Sequence, residues 1–507
     1  MSSDGSGSFG RKALVNAAML TTLASLASYA GGMLVSILIA RSLGPFEYGQ
    51  YAYAVWLCGL MVTLASSGFS NSAMRFISEY LGARRVETSL AIHQRLRRQV
   101  LAAIGAAGLL LAGSWPWVRP HGSESISTVL LLISLVGFST KALFMFESAA
   151  AKGYGRFWVD SACIASLSTV NVLGVLLLWH FHAGLEPFLA WFASLSLAHL
   201  VLVALFVRGH PKGVDAPAPL DVELRSRVGT YLQWGLVLAV VNMLASRSFE
   251  TFLLNTHATA KEVGFFAIAG MLTRSGVDLL AGGLSAVMIP VMSHALGAGG
   301  NERLRHVFVE ASRYYQFVGL LLAGTVYFWA EPAVMLMYGE RYRPVILPLQ
   351  ALVVGTCLIM TSAGLNAVLM ATENQKLRVS FSVLSVGCSA VLAFTLVPRW
   401  GLNGALVSTT VSQWIVFVIE AVLIERTVGF RLPYAALARQ LALAVAVVAA
   451  CLLVLQFDLG LWGHAIAGAA YFVLFVGGSL LAGIWSPTEL AMARGYLVRI
   501  PLLRRWA

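Results

Sequence analysis

Glu47-Tyr-Gly-Gln-Tyr-Ala-Tyr-Ala54 follows the first long apolar run of the chain, and Glu262-Val-Gly-Phe-Phe-Ala-Ile-Ala269 follows a later one. Glutamate, glycine, an aromatic residue and two alanines recur between them at a constant offset of 215 residues. The match extends beyond this turn. Gly184-Leu185-Glu186 mirrors Gly401-Leu402-Asn403 at an offset of 217, and the joint AKGYGRFW (151–158) aligns with ATENQKLR (371–378) at 220. A chain with this internal period contains one structural unit twice.

The unit is made for a bilayer. The 507 residues are 58% hydrophobic and 11% charged, whereas soluble chains carry about 25% charged residues. The mean hydropathy is +0.78. Fourteen apolar spans fall near 14–40, 48–72, 99–118, 126–150, 157–180, 186–207, 229–254, 262–288, 306–330, 344–370, 378–398, 402–425, 436–456 and 462–484. In lipid the backbone must satisfy its own hydrogen bonds, and runs of this length do so only as helices. Spans 1–6 and 7–12 are the two copies, and spans 13 and 14 are additional. Because six is even, both copies cross in the same sense, which makes a parallel repeat about an axis along the membrane normal. The expected fold is an all-α polytopic membrane protein with two six-helix lobes and two C-terminal helices. Its parts are a flexible N-terminus (1–13), an N-lobe (14–207), a linker (208–228), a C-lobe (229–425), two further spans (426–484) and a basic tail (485–507). The repeated turns join spans 1–2 and 7–8, and are expected to face each other across a central cavity.

Lysine and arginine orient the chain. With the N-terminus in the cytoplasm, 27 fall in inner segments, six in outer ones (Arg41, Arg119, Lys261, Arg341, Arg343 and Arg399), and Arg247 and Arg274 lie in mid-membrane. That asymmetry places both termini in the cytoplasm. The net charge of +12 then reflects attraction to an anionic leaflet rather than to nucleic acid. Trp115, Trp117, Trp179, Trp329, Trp400 and Trp462 lie at outer span ends, as an aromatic belt would. The basic stretch 79–100 reads as an interfacial helix. The five cysteines lie inside apolar runs without metal-ligand spacing and read as packing residues.

Ionisable residues inside the membrane are costly and are candidates for function. Arg247 and Glu250 are spaced i,i+3 in span 7, and Arg274 and Asp278 i,i+4 in span 8, so each pair shares a helix face. Lys141 lies within span 4 with Glu147 nearer its end, and Arg75 closes span 2. At the offset of 215, Arg247 corresponds to Gly32 and Arg274 to Gly59, so one lobe supplies room where the other supplies charge. Arginine's planar fork suits phosphate. Arg247, Arg274, Lys141 and Arg75 are therefore the candidate cationic cavity, with Glu250, Asp278 and Glu147 as charge partners or coupling groups. The alternative is that these charges pair internally and hold the lobe together. Glu420 reads as an interfacial residue. There is no GxxxxGK[ST], no HExxH and no paired-aspartate motif, which leaves an H⁺ or Na⁺ gradient as the driving force. No catalytic or metal-ligating set is found.

Ala40-Arg41, Leu43-Gly44 and Tyr48-Gly49, followed by Gly68 and Arg75-Phe76, form the pattern A-R-x-L-G-x-x-x-[YF]-G with an apolar span and an Arg-Phe end. This run (38–76) resembles the start of Wzx-type polysaccharide flippases, in the superfamily that also holds multidrug exporters and the lipid II flippase. The VGFFAIA turn and Asn366–Thr372 (NAVLMAT) resemble the family too. The resemblance implies alternating access, with a cationic cavity for the pyrophosphate and sugar of an undecaprenyl-linked oligosaccharide and the lipid tail left in the bilayer. It implies a bacterial inner-membrane protein serving O-antigen, capsule or exopolysaccharide assembly, with polysaccharide polymerase and export machinery as partners. In the lipid II branch the first span carries cavity charges. Here span 1 carries none before Arg41, which argues against that branch. The competing readings are an ion-coupled drug exporter, a membrane glycan polymerase or ligase, and a scaffold.

Overall fold

Each apolar run forms helix. The computed structural model describes residues 11–207, 220–245, 248–372, 374–456 and 460–485. Its helices are α1 (Arg11–Gly82), α2 (Val86–Val118), α3 (Ser127–Gly153), α4 (Phe157–His180), α5 (Leu185–Val207), α6 (Val222–Leu244), α7 (Ser248–His257), α8 (Ala260–Met337), α9 (Ile346–Leu358), α10 (Ser362–Ala371), α11 (Gln375–Thr427), α12 (Tyr434–Leu455) and α13 (Gly460–Leu481). No strand occurs among the described residues. Residues 1–10 of the N-terminal segment, 208–219 of the linker and the tail from Ser486 lie outside the described residues.

Nine described helices are long and apolar enough to cross a membrane, or eleven when the bent pairs α6–α7 and α9–α10 each count as one span. The three longest helices each contain a break. α1 breaks at Gly44, whose φ of 74° is followed by Pro45. The left-handed backbone suits glycine, and proline offers no N–H to continue the ladder. α8 breaks at Gly299–Gly300 and α11 at Gly401. Dividing α1, α8 and α11 there reconciles the helices with fourteen spans. The protein is an all-α, multi-pass membrane protein.

Residue proximity divides the chain into two compact units, Met1–Ala267 with Ser389–Ser408, and Ile268–Cys388 with Thr409–Ala507. In the first unit, Phe69, Phe76 and Ile77 of α1, Ile92, Leu96 and Val100 of α2, Phe146 of α3, and Leu224, Val228 and Leu232 of α6 form one buried cluster. The stretch read as an interfacial helix is therefore the start of α2. Its i, i+4, i+8 stripe of Ile92, Leu96 and Val100 is fully covered by protein, because α1, α3 and α6 offer it more apolar surface than a membrane interface would. Trp115 likewise leaves the aromatic belt: it is buried, and its indole N–H donates to Ser127 Oγ at 2.9 Å. In the second unit, Phe308 and Tyr315 of α8 pack with Ile424 of α11 and Phe430. Phe328 of α8 packs with Tyr471 and Phe475 of α13.

The two repeated turns meet directly. A Cβ on Gly49 would overlap the Ala260 carbonyl oxygen, and one on Gly264 would stand 3.1 Å from the Gly49 Cα. Only glycine allows backbones this close. The turns were expected to face each other across a cavity, and in the first unit they touch. Glu262 explains its own place in the repeat. Its Oε2 accepts from the Thr259 N–H at 3.0 Å, while the Glu262 N–H lies 3.4 Å from Thr259 Oγ1. This reciprocal cap starts α8. Its other oxygen accepts from the Leu402 N–H at 3.3 Å, beside the break in α11.

Candidate functional site: a lysine-lined cavity in the first unit

Lys141, Ser148 and Lys152 are two and three turns apart on α3, so they share one face. That face lines a cavity of about 590 Å³ in the first unit, walled by α1, α3, α4 and α5. Gly32 and Asn71 line it from α1, Asp160 and Asn171 from α4, and His199 from α5.

The joint between α3 and α4 sets the charges at one end. Lys152 stands in the last turn of α3 and Asp160 in the first turn of α4, each at the helix end whose dipole favours its sign. Lys152 Nζ lies 2.6 Å from Asp160 Oδ2, and Ser148 Oγ donates to Oδ1. The Asp160 carboxylate is thereby fully occupied. At the joint, burial pushes the Tyr154 hydroxyl up to about 12, so it stays protonated in its 3.3 Å contact with His93 Nδ1.

Lys141 differs. It is half-buried and makes no ion pair among the described residues; its Nζ lies 4.9 Å from the Phe144 ring centroid. His199 Nδ1 donates to the Leu195 carbonyl at 2.8 Å, which fixes the ring with Nε2 as its remaining polar atom. Trp191 Nε1 donates to Asn171 Oδ1 at 3.1 Å. The cavity thus carries one carboxylate paired with Lys152 and one lysine, Lys141, without an ion pair among the described residues. A positive charge held in a membrane-embedded cavity is costly without a counterion, and an anionic ligand supplies one.

The candidate residues are distributed as follows. Lys141 and Gly32 line the same cavity, and a Cβ at Gly32 would meet nothing within 4 Å. Gly59 is exposed, with similar room. Arg75 is outside the lining; its guanidinium lies over Tyr231 of α6, 4.4 Å from the ring centroid. Next to it, Arg227 makes a two-pronged bond to Glu79 at 2.7 and 3.2 Å. Glu147 pairs with Arg97 at 2.8 Å and His93 at 3.4 Å, both on α2. Glu250 is fully buried, and its Oε1 accepts from Ser389 and Ser408 at 2.9 Å each, within the first unit. Arg274 is exposed and belongs to the second unit. Arg247 and the Asp278 side chain lie outside the described residues. No group of three or more His, Cys, Asp or Glu side chains close enough for a metal occurs among the described residues.

Sequence reasoning missed Lys152, Asp160 and His199. Lys152 is one of the 27 inner lysines and arginines, and its spacing from Lys141 puts both on one helix face. Asp160 is the sole acid of the run 157–180. His199 gave no signal, because a histidine on an apolar helix is indistinguishable from a packed one until its neighbours are known.

The model of the family described as "polysaccharide biosynthesis protein" matches residues 14–296. The capsular polysaccharide biosynthesis protein CapF of Staphylococcus aureus is 23% identical over 158 residues, which are 30% of this chain and 38% of that protein. Less than half of that relative's length is therefore matched. Among solved structures, the lipid II flippase MurJ in an inward closed conformation has a TM-score of 0.72 at 12% identity, covering 91% of this chain and 98% of that one. An inward-facing multidrug resistance MATE family transporter of the MOP superfamily has a TM-score of 0.59 at 14% identity, covering 81% and 96%. At these identities the structures show a shared fold, and the sequence match, over more than half the chain, shows the family: this protein belongs to the polysaccharide biosynthesis protein family.

Proposed function

We propose that this protein is a flippase that moves an undecaprenyl-pyrophosphate-linked oligosaccharide across the bacterial inner membrane by alternating access, for O-antigen, capsule or exopolysaccharide assembly. The observation that carries this reading is Lys141, an ammonium without an ion-pair partner among the described residues, in a cavity of about 590 Å³ walled by membrane helices. A pyrophosphate supplies the missing negative charge. Hydroxyl and amide groups such as Ser148, Asn71 and Asn171 suit sugar hydroxyls. Arg247, Arg274 and Arg75 remain further candidate cations for the headgroup, and both termini lie in the cytoplasm on the strength of the lysine and arginine asymmetry. The chain acts as a transporter rather than an enzyme. Glu250 takes the coupling ion, H⁺ or Na⁺, since two hydroxyls already hold its carboxylate in a fully buried place.

The MATE fold favours one second reading, an ion-coupled drug exporter. Such a cavity should attract cations, and Lys141 repels them.

The test is reconstitution in liposomes with a lipid-linked oligosaccharide. Wild type is expected to carry the glycan between leaflets. Arg247→Ala/Arg274→Ala is expected to lose about 100-fold in rate, two charge-assisted hydrogen bonds of about 1.5 kcal/mol each. A lengthened or transferred sugar chain would instead show a polymerase or ligase. Transport that survives in the double variant would return both arginines to internal pairing. In the same vesicles Glu250→Gln is expected to equilibrate glycan but to gain nothing from an imposed H⁺ or Na⁺ gradient. A gradient response that persists would remove Glu250 from coupling.

A further inference from the structure

The side-chain amide of Asn171 is held in one orientation. Trp191 of α5 donates its indole N–H to Asn171 Oδ1 on α4 at 3.1 Å. An indole nitrogen only donates, so the amide turns its oxygen toward Trp191 and its NH2 group away. The ring has a seat made for it. A Cβ on Gly174, one turn beyond Asn171, would overlap the Trp191 ring, so only glycine leaves the indole its place against α4. Asn171 lines the first-unit cavity, and Trp191 stands behind it, outside the lining. The Asn171 NH2 group makes no hydrogen bond among the described residues. Its two N–H donors are left to the cavity.

α3 and α4 run antiparallel from the Lys152–Asp160 pair. Lys141 lies eleven residues before Lys152, and Asn171 eleven residues after Asp160. That is about 16 Å along each helix and about three turns round it, so each returns to the face that carries the pair, at a similar depth. Both line the cavity. Ser70 of α1 lines it too; it is 8% exposed, and its Oγ has no hydrogen-bond partner. An unpaired polar atom in such a place is expensive. A fixed pair of N–H donors, a lysine without an ion pair and an unpartnered hydroxyl all suit a ligand rich in oxygen acceptors. We propose that Trp191 is a positioning residue for cargo recognition: it locks Asn171 as a hydrogen-bond donor to an oxygen of the ligand that Lys141 binds. That role rests on the proposed headgroup site. The acceptor is a phosphoryl oxygen of the pyrophosphate or an oxygen of the sugar joined to it, since both offer lone pairs to an N–H. Without the indole, the amide is free to turn over and present its own carbonyl oxygen, which repels either one. If Asn171 served only to satisfy the indole, its loss would lower stability and leave binding unchanged.

Titration calorimetry on the purified full-length protein tests this, with farnesyl pyrophosphate and a lipid-linked oligosaccharide as separate probes and melting curves alongside. Wild type is expected to bind both. Asn171→Ala is expected to weaken binding about tenfold, and Trp191→Phe about threefold to fivefold. The double variant is expected to match Asn171→Ala, because Trp191 acts only through the amide. Weakening with both probes identifies a phosphoryl oxygen as the acceptor; weakening with the oligosaccharide alone identifies a sugar oxygen. Asn171→Ala that binds both probes as wild type does overturns the proposal. So does a double variant weaker than Asn171→Ala by the whole Trp191→Phe factor, which would make Trp191 a packing residue. Binding that is lost in Lys141→Ala but kept in Asn171→Ala removes this proposal and leaves the headgroup site standing. Binding of neither probe by wild type removes both. Asn171→Asp serves if Trp191→Phe does not fold. It keeps an acceptor for the indole and replaces the NH2 group by an oxygen. It is expected to bind about tenfold more weakly while melting near wild type, and unweakened binding also overturns the proposal.

Discussion

Gly49→Ala is expected to be among the most damaging single substitutions in the protein, although it adds one methyl group. The new Cβ would occupy the position of the Ala260 carbonyl oxygen. That atom is backbone at the first turn of α8, and the Thr259–Glu262 cap holds the turn in place. A flexible neighbour can rotate away from such a clash, whereas this one must move a helix. Overpacking usually costs about 1–3 kcal/mol, and this case belongs at or above the upper limit. Gly59→Ala is the control: its Cβ meets nothing within 4 Å, and alanine in a helix interior is favoured by about 0.5–1 kcal/mol. Cys58, Cys163, Cys357 and Cys451 are buried and react only on unfolding. Thermal unfolding followed by a thiol-reactive dye should therefore show Gly49→Ala melting well below wild type and Gly59→Ala at or above it. Equal melting of the two variants would mean that the α1–α8 contact does not support the folded state.

Lys141→Ala is expected to leave folding intact and to reduce glycan movement by about 10- to 100-fold at subsaturating substrate. A hydrogen bond from an ammonium to phosphate contributes about 1.5–3 kcal/mol, and no second unpaired cation lines this cavity among the described residues. Lys141→Arg keeps the charge and should recover most of the rate. Lys141→Glu reverses it beside Asp160 and should abolish transport. Because Lys141 has no carboxylate partner among the described residues, its removal orphans no buried charge, and the melting temperature should stay near wild type. Initial rates in proteoliposomes, read beside the melting curves, separate the roles. A loss of rate together with a loss of stability would make Lys141 a packing residue.

Glu420 and the cavity at Lys141 show where sequence reading stops. Lys141 announced itself, because a lysine inside an apolar run is conspicuous whatever surrounds it. Glu420 is equally ionisable, but its place near the inner end of span 12 makes it read as interfacial, whereas it is 6% exposed. Its neighbours on α11, Ala421 and Ile424, pack with residues of α8 and α10. Glu147 and Glu250 both stood as charge partners or coupling groups within spans. Their neighbours distinguish them: α2 brings Arg97 and His93 to one, and α11 brings two serine hydroxyls to the other. Such partners come from positions more than forty residues away and leave no local periodicity.

The sequence alone determined the all-helical, many-span architecture and the internal repeat, because lipid forces each apolar run to satisfy its backbone within itself and a duplicated unit keeps its spacing. It also placed joints between spans 1 and 2 and between spans 11 and 12, where the structure breaks α1 at Gly44 and α11 at Gly401. The tertiary structure decided that the two repeated turns touch through Gly49 and Gly264, that the start of α2 is core rather than interface, and that Lys141, Lys152, Asp160 and His199 share one cavity. Those outcomes depend on which helix faces pack together, and packing is settled by contacts between distant segments that no single stretch of chain contains.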